Sequence, residues 1–203
     1  DTQSQVFGRC IASANSPLEG DLFGLGEYTR LGISASKLVL GLPFYGYDYE
    51  CVAGTAPDAH FCPIARVPFR GASCSDAAGR QTGFTSYYAP TAKLFANLTL
   101  GPEWDETLRS PYFNYRAPSG RIHQVWYDDA RSLSAKYAAA KAFGVGGIGF
   151  WTLDGLYAPN DPVTSKDPEF AVAREQMWAA MDVFYDGGSL NRGSAGAERA
   201  VPL

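Results

Sequence analysis

The chain has 203 residues, 46% of them hydrophobic and 14% aromatic, which excludes wholesale disorder and allows the core of one or two ordinary domains. A formal net charge of -4, with no cluster of lysine and arginine, removes the electrostatic reason to hold a phosphate backbone, so no nucleic acid is expected as a partner. The longest apolar runs, such as KLVLGLPF at residues 37–44, fall short of the roughly 20 residues that span a bilayer, and no membrane partner is expected.

The text starts at Asp1 with neither an initiator methionine nor a leader, so an upstream portion is expected to be missing. Between residues 20 and 33, Leu22, Leu25, Tyr28 and Leu31 recur at threes and predict a helix with one apolar face. KLVLGLPFYGYDY then runs without polar alternation between turn formers, which predicts a strand buried on both faces of a parallel sheet; Gly41 and Pro43 disfavour a helix there. Residues 50–130 differ in character, holding three cysteines, many prolines and a predicted hairpin in which YFNYR and RIHQVWY flank the turn APSG. A βα loop usually has about two to six residues, so a segment this long predicts an inserted α+β subdomain.

SLSAKYAAAKAF at residues 132–143 predicts a helix ended by Gly144 in the left-handed conformation. GVGGIGFWTL predicts a second buried strand, and Asp167 is the expected cap of a helix that begins at Pro168. From Gly187 the text loses apolar periodicity and predicts a flexible tail over 187–203. The alternation of helix and strand predicts an α/β protein with a parallel sheet. Its segments are 1–49, the insertion 50–130, and 131–186.

In such folds the binding site lies at the carboxyl ends of the strands. That rule singles out Trp151 at the end of the second strand, with core packing as the alternative role for the indole. Trp126, in the last strand of the insertion, is expected in its core. His60 and His123 lack ligand partners at metal spacing and read as surface or packing residues, so no metal and no cofactor is implied. The GVGGIG glycines build a strand and open no helix, so they are not a nucleotide fingerprint.

Cys10, Cys51, Cys62 and Cys74 form an even set without a CxxC pair, which predicts disulfides formed in an oxidising compartment; all three connectivities stay open, as do four free thiols. Asn97-Leu98-Thr99 is an acceptor sequon for N-glycosylation.

The segments KLVLGLPFYGYDYEC, CPIARVPFRGASCSDAAGRQ, YFNYRAPSGRIHQVWYDD and GIGFWTLD resemble the carboxyl-terminal part of glycoside hydrolase family 18 proteins, the chitinase family, over residues 1 to about 183. GLPFYGYDYEC and the stretch from VPFRG to CSDAAGR resemble one branch in particular: most family chitinases carry an arginine where Tyr47 stands, so a subsite contact made elsewhere in the family is not carried over.

The resemblance implies an incomplete (β/α)8 TIM barrel with an α+β insertion after strand seven. Residues 1–49 would be the end of strand six, helix six and strand seven; residues 131–186 would be helix seven, strand eight and helix eight. It implies a substrate of β-1,4-linked N-acetylglucosamine, in asparagine-linked glycan cores or short chitin oligomers, and a retaining mechanism in which the substrate's own N-acetyl group attacks the anomeric carbon.

The acid would be the glutamate of a DxxDxDxE motif on strand four, and no such motif occurs in these 203 residues. The chain alone is therefore expected to be inactive, and it is expected to be poorly soluble because strand seven would present unpaired backbone and apolar faces normally covered by strand six. The complete protein would be a monomeric lysosomal or secreted hydrolase, with a non-catalytic glycan-binding lectin as the alternative. A self-standing disulfide-stapled domain over residues 50–130 is the third reading. Within the resemblance, Trp151 would form the hydrophobic floor beneath the sugar, Tyr45, Tyr47 and Asp48 would follow strand seven at the rim where substrate contacts are expected, with Tyr45 in the family-wide pattern, and Asp1 would match the aspartate of a Tyr-Asp pair that hydrogen-bonds the acetamido and acid region; a frayed end is the alternative for Asp1.

Overall fold

The computed structural model describes residues 4–83, 97–156 and 168–185. Asp1, the Asp167 cap and the tail from 187 lie outside the described residues. Among the described residues there are two sheets, a two-stranded parallel one and a five-stranded antiparallel one.

Helix α1 (Ser4–Arg9) is followed by α2 (Leu18–Arg30), whose last turn is closed by the Leu31 amide donating to the Glu27 carbonyl and the Gly32 amide donating to the Thr29 carbonyl. Leu25 is buried and Leu22 packs beside it, but Tyr28 and Leu31 are exposed. The predicted apolar stripe of α2 is thus covered only in part, because no described element packs over its far end.

Strand β1 (Val39–Pro43) leads directly into β2 (Tyr45–Glu50), which belongs to the other sheet. Strand β7 (Gly147–Trp151) lies parallel to β1, with Val39 opposite Gly147 and Pro43 opposite Trp151. Between the two come helix α3 (Ala130–Phe143) and the antiparallel strands, and after β7 comes α4 (Pro168–Ala180).

Helix α3 has sharp ends for clear chemical reasons. The Asp129 carboxylate accepts from the Ser132 amide while the Ser132 hydroxyl answers the Asp129 amide, and Gly144 closes the helix at a φ of 83°.

Period two divides the parallel pair into unlike faces. Leu40, Leu42, Ile148 and Phe150 pack under α3 and α4. Phe44 stacks on Phe150 with centroids 4.7 Å apart, and Trp178 of α4 stands edge-on to both rings. Truncating a ring such as Phe44, buried at 1% exposure, costs about 3–5 kcal/mol by cavity formation.

The opposite face carries Val39, which is 64% exposed, three glycines and Trp151. The expectation of strands buried on both faces is therefore corrected: among the described residues this sheet has two strands, and only the helix side is covered.

The antiparallel sheet has the order β3 (Gly79–Gly83), β2, β6 (Ile122–Trp126), β5 (Ser110–Arg116), β4 (Leu98–Asp105). The predicted hairpin is β5 and β6, with Arg116 opposite Ile122 across the APSG turn. One face joins the core under α3; the other closes over Val6, Ile64 and Leu108. Trp126 is buried in that second core, stacked on Tyr112 at 4.6 Å, with its indole N–H donating to Gln124 Oε1. The cysteines pair as Cys10–Cys74 and Cys51–Cys62, so no free thiol remains. Bridging 64 positions, the first removes about 4 kcal/mol of chain entropy from the unfolded state on the loop-closure account. No helix among the described residues is long and apolar enough to cross a membrane.

A charged cluster sits beneath the helices. The ammonium of Lys136 meets the Asp128 carboxylate and the Ser110 hydroxyl, all buried, and burial pushes Asp128 upward while the ammonium opposes the shift. Nearby, Asp21 accepts twice from the Ser16 hydroxyl, at 2.7 and 2.8 Å. Burial is the largest effect on Asp21 and pushes its carboxyl from 3.8 up to about 6, against the lowering pull of Ser16 and Lys136. Stability from a raised carboxyl is complete below pH 3.8 and is lost as pH rises through about 6. Asp21→Asn keeps an acceptor for Ser16 and removes the charge. In paired denaturant titrations its unfolding free energy should gain about 2–3 kcal/mol on wild type between about pH 4 and 7, whereas a difference independent of pH contradicts this assignment.

Candidate functional site

The carboxyl end of the parallel pair is where the two sheets meet. The Phe44 amide donates to the Trp151 carbonyl at 2.7 Å, continuing the ladder one residue past the strands. The next residue, Tyr45, already pairs in the antiparallel sheet, opposite Gly83. Strand β3 in turn touches the 3-10 turn Leu153–Leu156 that follows Trp151. Tyr45 and Trp151 are thereby brought to one rim by a single backbone crossing.

Trp151 is 68% exposed, and its strand position puts it on the uncovered face with Gly41, Gly147 and Gly149. A Cβ at Gly41 would meet nothing within 4 Å, and one at Gly147 or Gly149 would meet only Val39. The indole therefore stands beside a shelf of bare backbone, which allows a flat ligand to approach both surfaces.

Tyr45, Tyr47 and Tyr49 alternate onto one face of β2. Tyr45 and Tyr47 are half-buried, while Tyr49 is fully buried, and burial pushes the Tyr49 phenol upward. Tyr47 stacks on Tyr49 and donates its hydroxyl to Asp76 Oδ2 at 3.0 Å.

Asp48 alternates onto the other face and is 8% exposed. The Tyr115 hydroxyl donates to its Oδ2 at 2.7 Å, His123 Nδ1 lies 2.8 Å from Oδ1, and the exposed Arg80 guanidinium stands 3.6 Å away. Burial, followed by the Asp48 charge, holds the Tyr115 phenol well above its ordinary value, so it remains a donor. The carboxylate at position 48 is thus surrounded by protein groups.

Asp76, Tyr115, His123 and Arg80 had no sequence signature as site residues. His60 is likewise engaged, with Nδ1 2.6 Å from the Tyr112 hydroxyl and Nε2 3.3 Å from Asp105 Oδ2. No group of three or more potential metal-ligating side chains converges among the described residues. Asn97 is exposed just before the edge strand β4, and the Thr99 hydroxyl of its sequon donates to the Pro57 carbonyl at 2.6 Å.

Comparison with known proteins places this geometry in a family. The family model for glycosyl hydrolases family 18 matches residues 5–155. The chain is 46% identical over 184 residues to di-N-acetylchitobiase of Rattus norvegicus, a match covering 89% of this chain and 46% of that protein. It is 41% identical over 181 residues to di-N-acetylchitobiase of Homo sapiens, covering 89% of this chain and 44% of that protein. A chitinase of Cycas revoluta, solved in complex with (GlcNAc)4, superposes with a TM-score of 0.59 at 17% identity, covering 90% of this chain and 45% of that one. That likeness concerns the fold, a TIM-barrel-like α/β arrangement. The chain spans a little under half the length of these relatives. With most of its residues inside the family match and extended identity to two members, the chain belongs to glycosyl hydrolases family 18.

Proposed function

We propose that the full-length protein hydrolyses β-1,4 linkages between N-acetylglucosamine residues, in asparagine-linked glycan cores or chitin oligomers, and that this chain supplies the sugar-holding half of the site. The observation that carries the reading is the exposed indole of Trp151 on a glycine-lined shelf at the carboxyl end of parallel strands. A pyranose presents a flat face of C–H groups, and an indole meets it with apolar area while keeping an N–H for a polar neighbour. The names of the relatives, and the oligosaccharide held by the Cycas chitinase, fit the same chemistry.

On this reading β1 and β7 are barrel strands seven and eight, and the α+β insertion follows strand seven. Its first strand starts at Tyr45, five positions ahead of the start expected from composition. Trp151 is the floor of the site, and Tyr45 and Tyr47 are its aromatic wall. Asp48, already served by Tyr115 and His123, braces that wall from behind. Asp1 orients the acetamido group.

In the reaction, the acetamido oxygen attacks the anomeric carbon from within the substrate while an acid protonates the departing oxygen; water then opens the oxazolinium ring with retention. The acid is a glutamate outside these 203 residues, so the chain by itself turns over nothing. The two disulfides suit a lysosomal or secreted protein. We take the complete protein to be a monomer.

Turnover of a chromogenic di-N-acetylchitobioside by the full-length protein, with none by residues 1–203, tests the assignment. Trp151→Ala in the full-length protein should lower kcat/KM by about 10- to 100-fold. Binding of the disaccharide without turnover by the full-length protein would replace the enzyme with the lectin reading, and unchanged kcat/KM in the tryptophan variant would remove the indole from the site. The sequon gives a separate expectation: material secreted from a eukaryotic host should lose one endoglycosidase-sensitive mobility step on Asn97→Gln, and identical mobility would show position 97 unmodified.

A further inference from the structure

We propose that Asp76 is the positioning residue that orients Tyr47 for the sugar and so sets which part of that side chain the substrate meets; this rests on Tyr47 being one of the aromatic contacts put forward above. The three tyrosines of β2 form a ladder graded by burial. Tyr49 is the buried base, Tyr47 stacks on it with centroids 5.6 Å apart and 19° between planes, and Tyr45 stands edge-on to Tyr47 at 6.1 Å. Stacking sets the plane of the Tyr47 ring, and the 3.0 Å hydrogen bond from the hydroxyl to Asp76 Oδ2 fixes the direction of its outer end.

Asp76 can do this because its own position is over-determined. It opens the 3-10 turn Asp76–Ala78. Two residues earlier, Cys74 is tied to Cys10, and between them the buried Ser75 hydroxyl donates to the Val67 carbonyl at 2.8 Å. Just after the turn, Gly79 lies so close to the Tyr49 ring that a Cβ there would overlap it. The turn is therefore clamped from both sides onto the same tyrosine ladder that it steers.

The consequence is a choice of chemistry. With its only proton committed to Asp76, Tyr47 offers a substrate its ring and not a hydrogen-bond donor, so it selects an apolar pyranose face over a substituent that needs a donor. Asp76 touches no sugar; it acts through Tyr47.

The test is steady-state kinetics of the full-length protein on a chromogenic di-N-acetylchitobioside. Asp76→Ala should raise KM about five- to tenfold with kcat held within about twofold, and Asp76→Asn, whose amide oxygen still accepts the phenol proton, should recover most of the loss. Tyr47→Phe should raise KM by the same factor, and the Asp76→Ala/Tyr47→Phe double variant should add nothing further. Independent, multiplying effects of the two changes would overturn the proposal. So would an unchanged KM in Asp76→Ala alongside a raised one in Tyr47→Ala, and in that case the aromatic contact would survive without its positioning residue. An unchanged KM in Tyr47→Ala would remove the contact itself and the proposal with it. Should Asp76→Ala fail to fold, Tyr47→Phe decides alone: a raised KM supports the role, an unchanged one ends it.

Discussion

The hydrogen bond from the Phe44 amide to the Trp151 carbonyl is the joint on which the rest of the arrangement turns. It extends the β1 and β7 ladder one step beyond the strands and holds their carboxyl ends together just where the chain leaves one sheet for the other. Phe44 also contributes its ring, stacked on Phe150 and met edge-on by Trp178, so the same residue anchors the crossing from below. Because strand side chains alternate, burying Phe150 on the helix side turns Trp151 to the open side. The exposure of the indole is a consequence of where its neighbour is packed.

The antiparallel sheet is held against this joint by interactions of a different kind. Two disulfides tie the long excursion between β2 and β3 to the end of β2 and to the residue after α1. Asp48, Tyr115 and His123 stitch three strands together on one face, and the tyrosine ladder covers the other. Polar groups in such a position are costly unless each is answered. Here the carboxylate finds a phenol, an imidazole and a guanidinium, which explains why a strand beginning at the rim of the candidate site can carry a buried carboxylate.

The architecture was legible where one local rule decided the outcome. Gly144 is a cap residue and α3 ends at it as expected, although the helix starts at Ala130, two residues ahead of the expected start, because Asp129 caps it. The two apolar runs became parallel partners, and the APSG turn closed a hairpin. The edge strand β3 carried no such mark: GRQTG has no large apolar residue, and its pairing with β2 depends on Gly79 clearing the ring of Tyr49, a contact across 30 positions of chain. Apolar content also cannot reveal how many faces of a strand are covered, which is why Val39 was expected inside and stands outside. The candidate residues divided in the same way. The place of Trp151 at the end of its strand followed from the sequence, whereas Asp76 and the Asp48 partners come from hydrogen bonds joining residues 29, 67 and 75 positions apart, and the cysteine pairing needed the fold itself.

A crystal structure of the full-length protein with N-acetylglucosamine disaccharide bound would test the central claim most directly. The account predicts a pyranose ring lying flat on the indole of Trp151, with Tyr45 at its edge and the glycine face of the parallel strands beneath. A disaccharide bound elsewhere, with that indole covered by protein side chains, would contradict it.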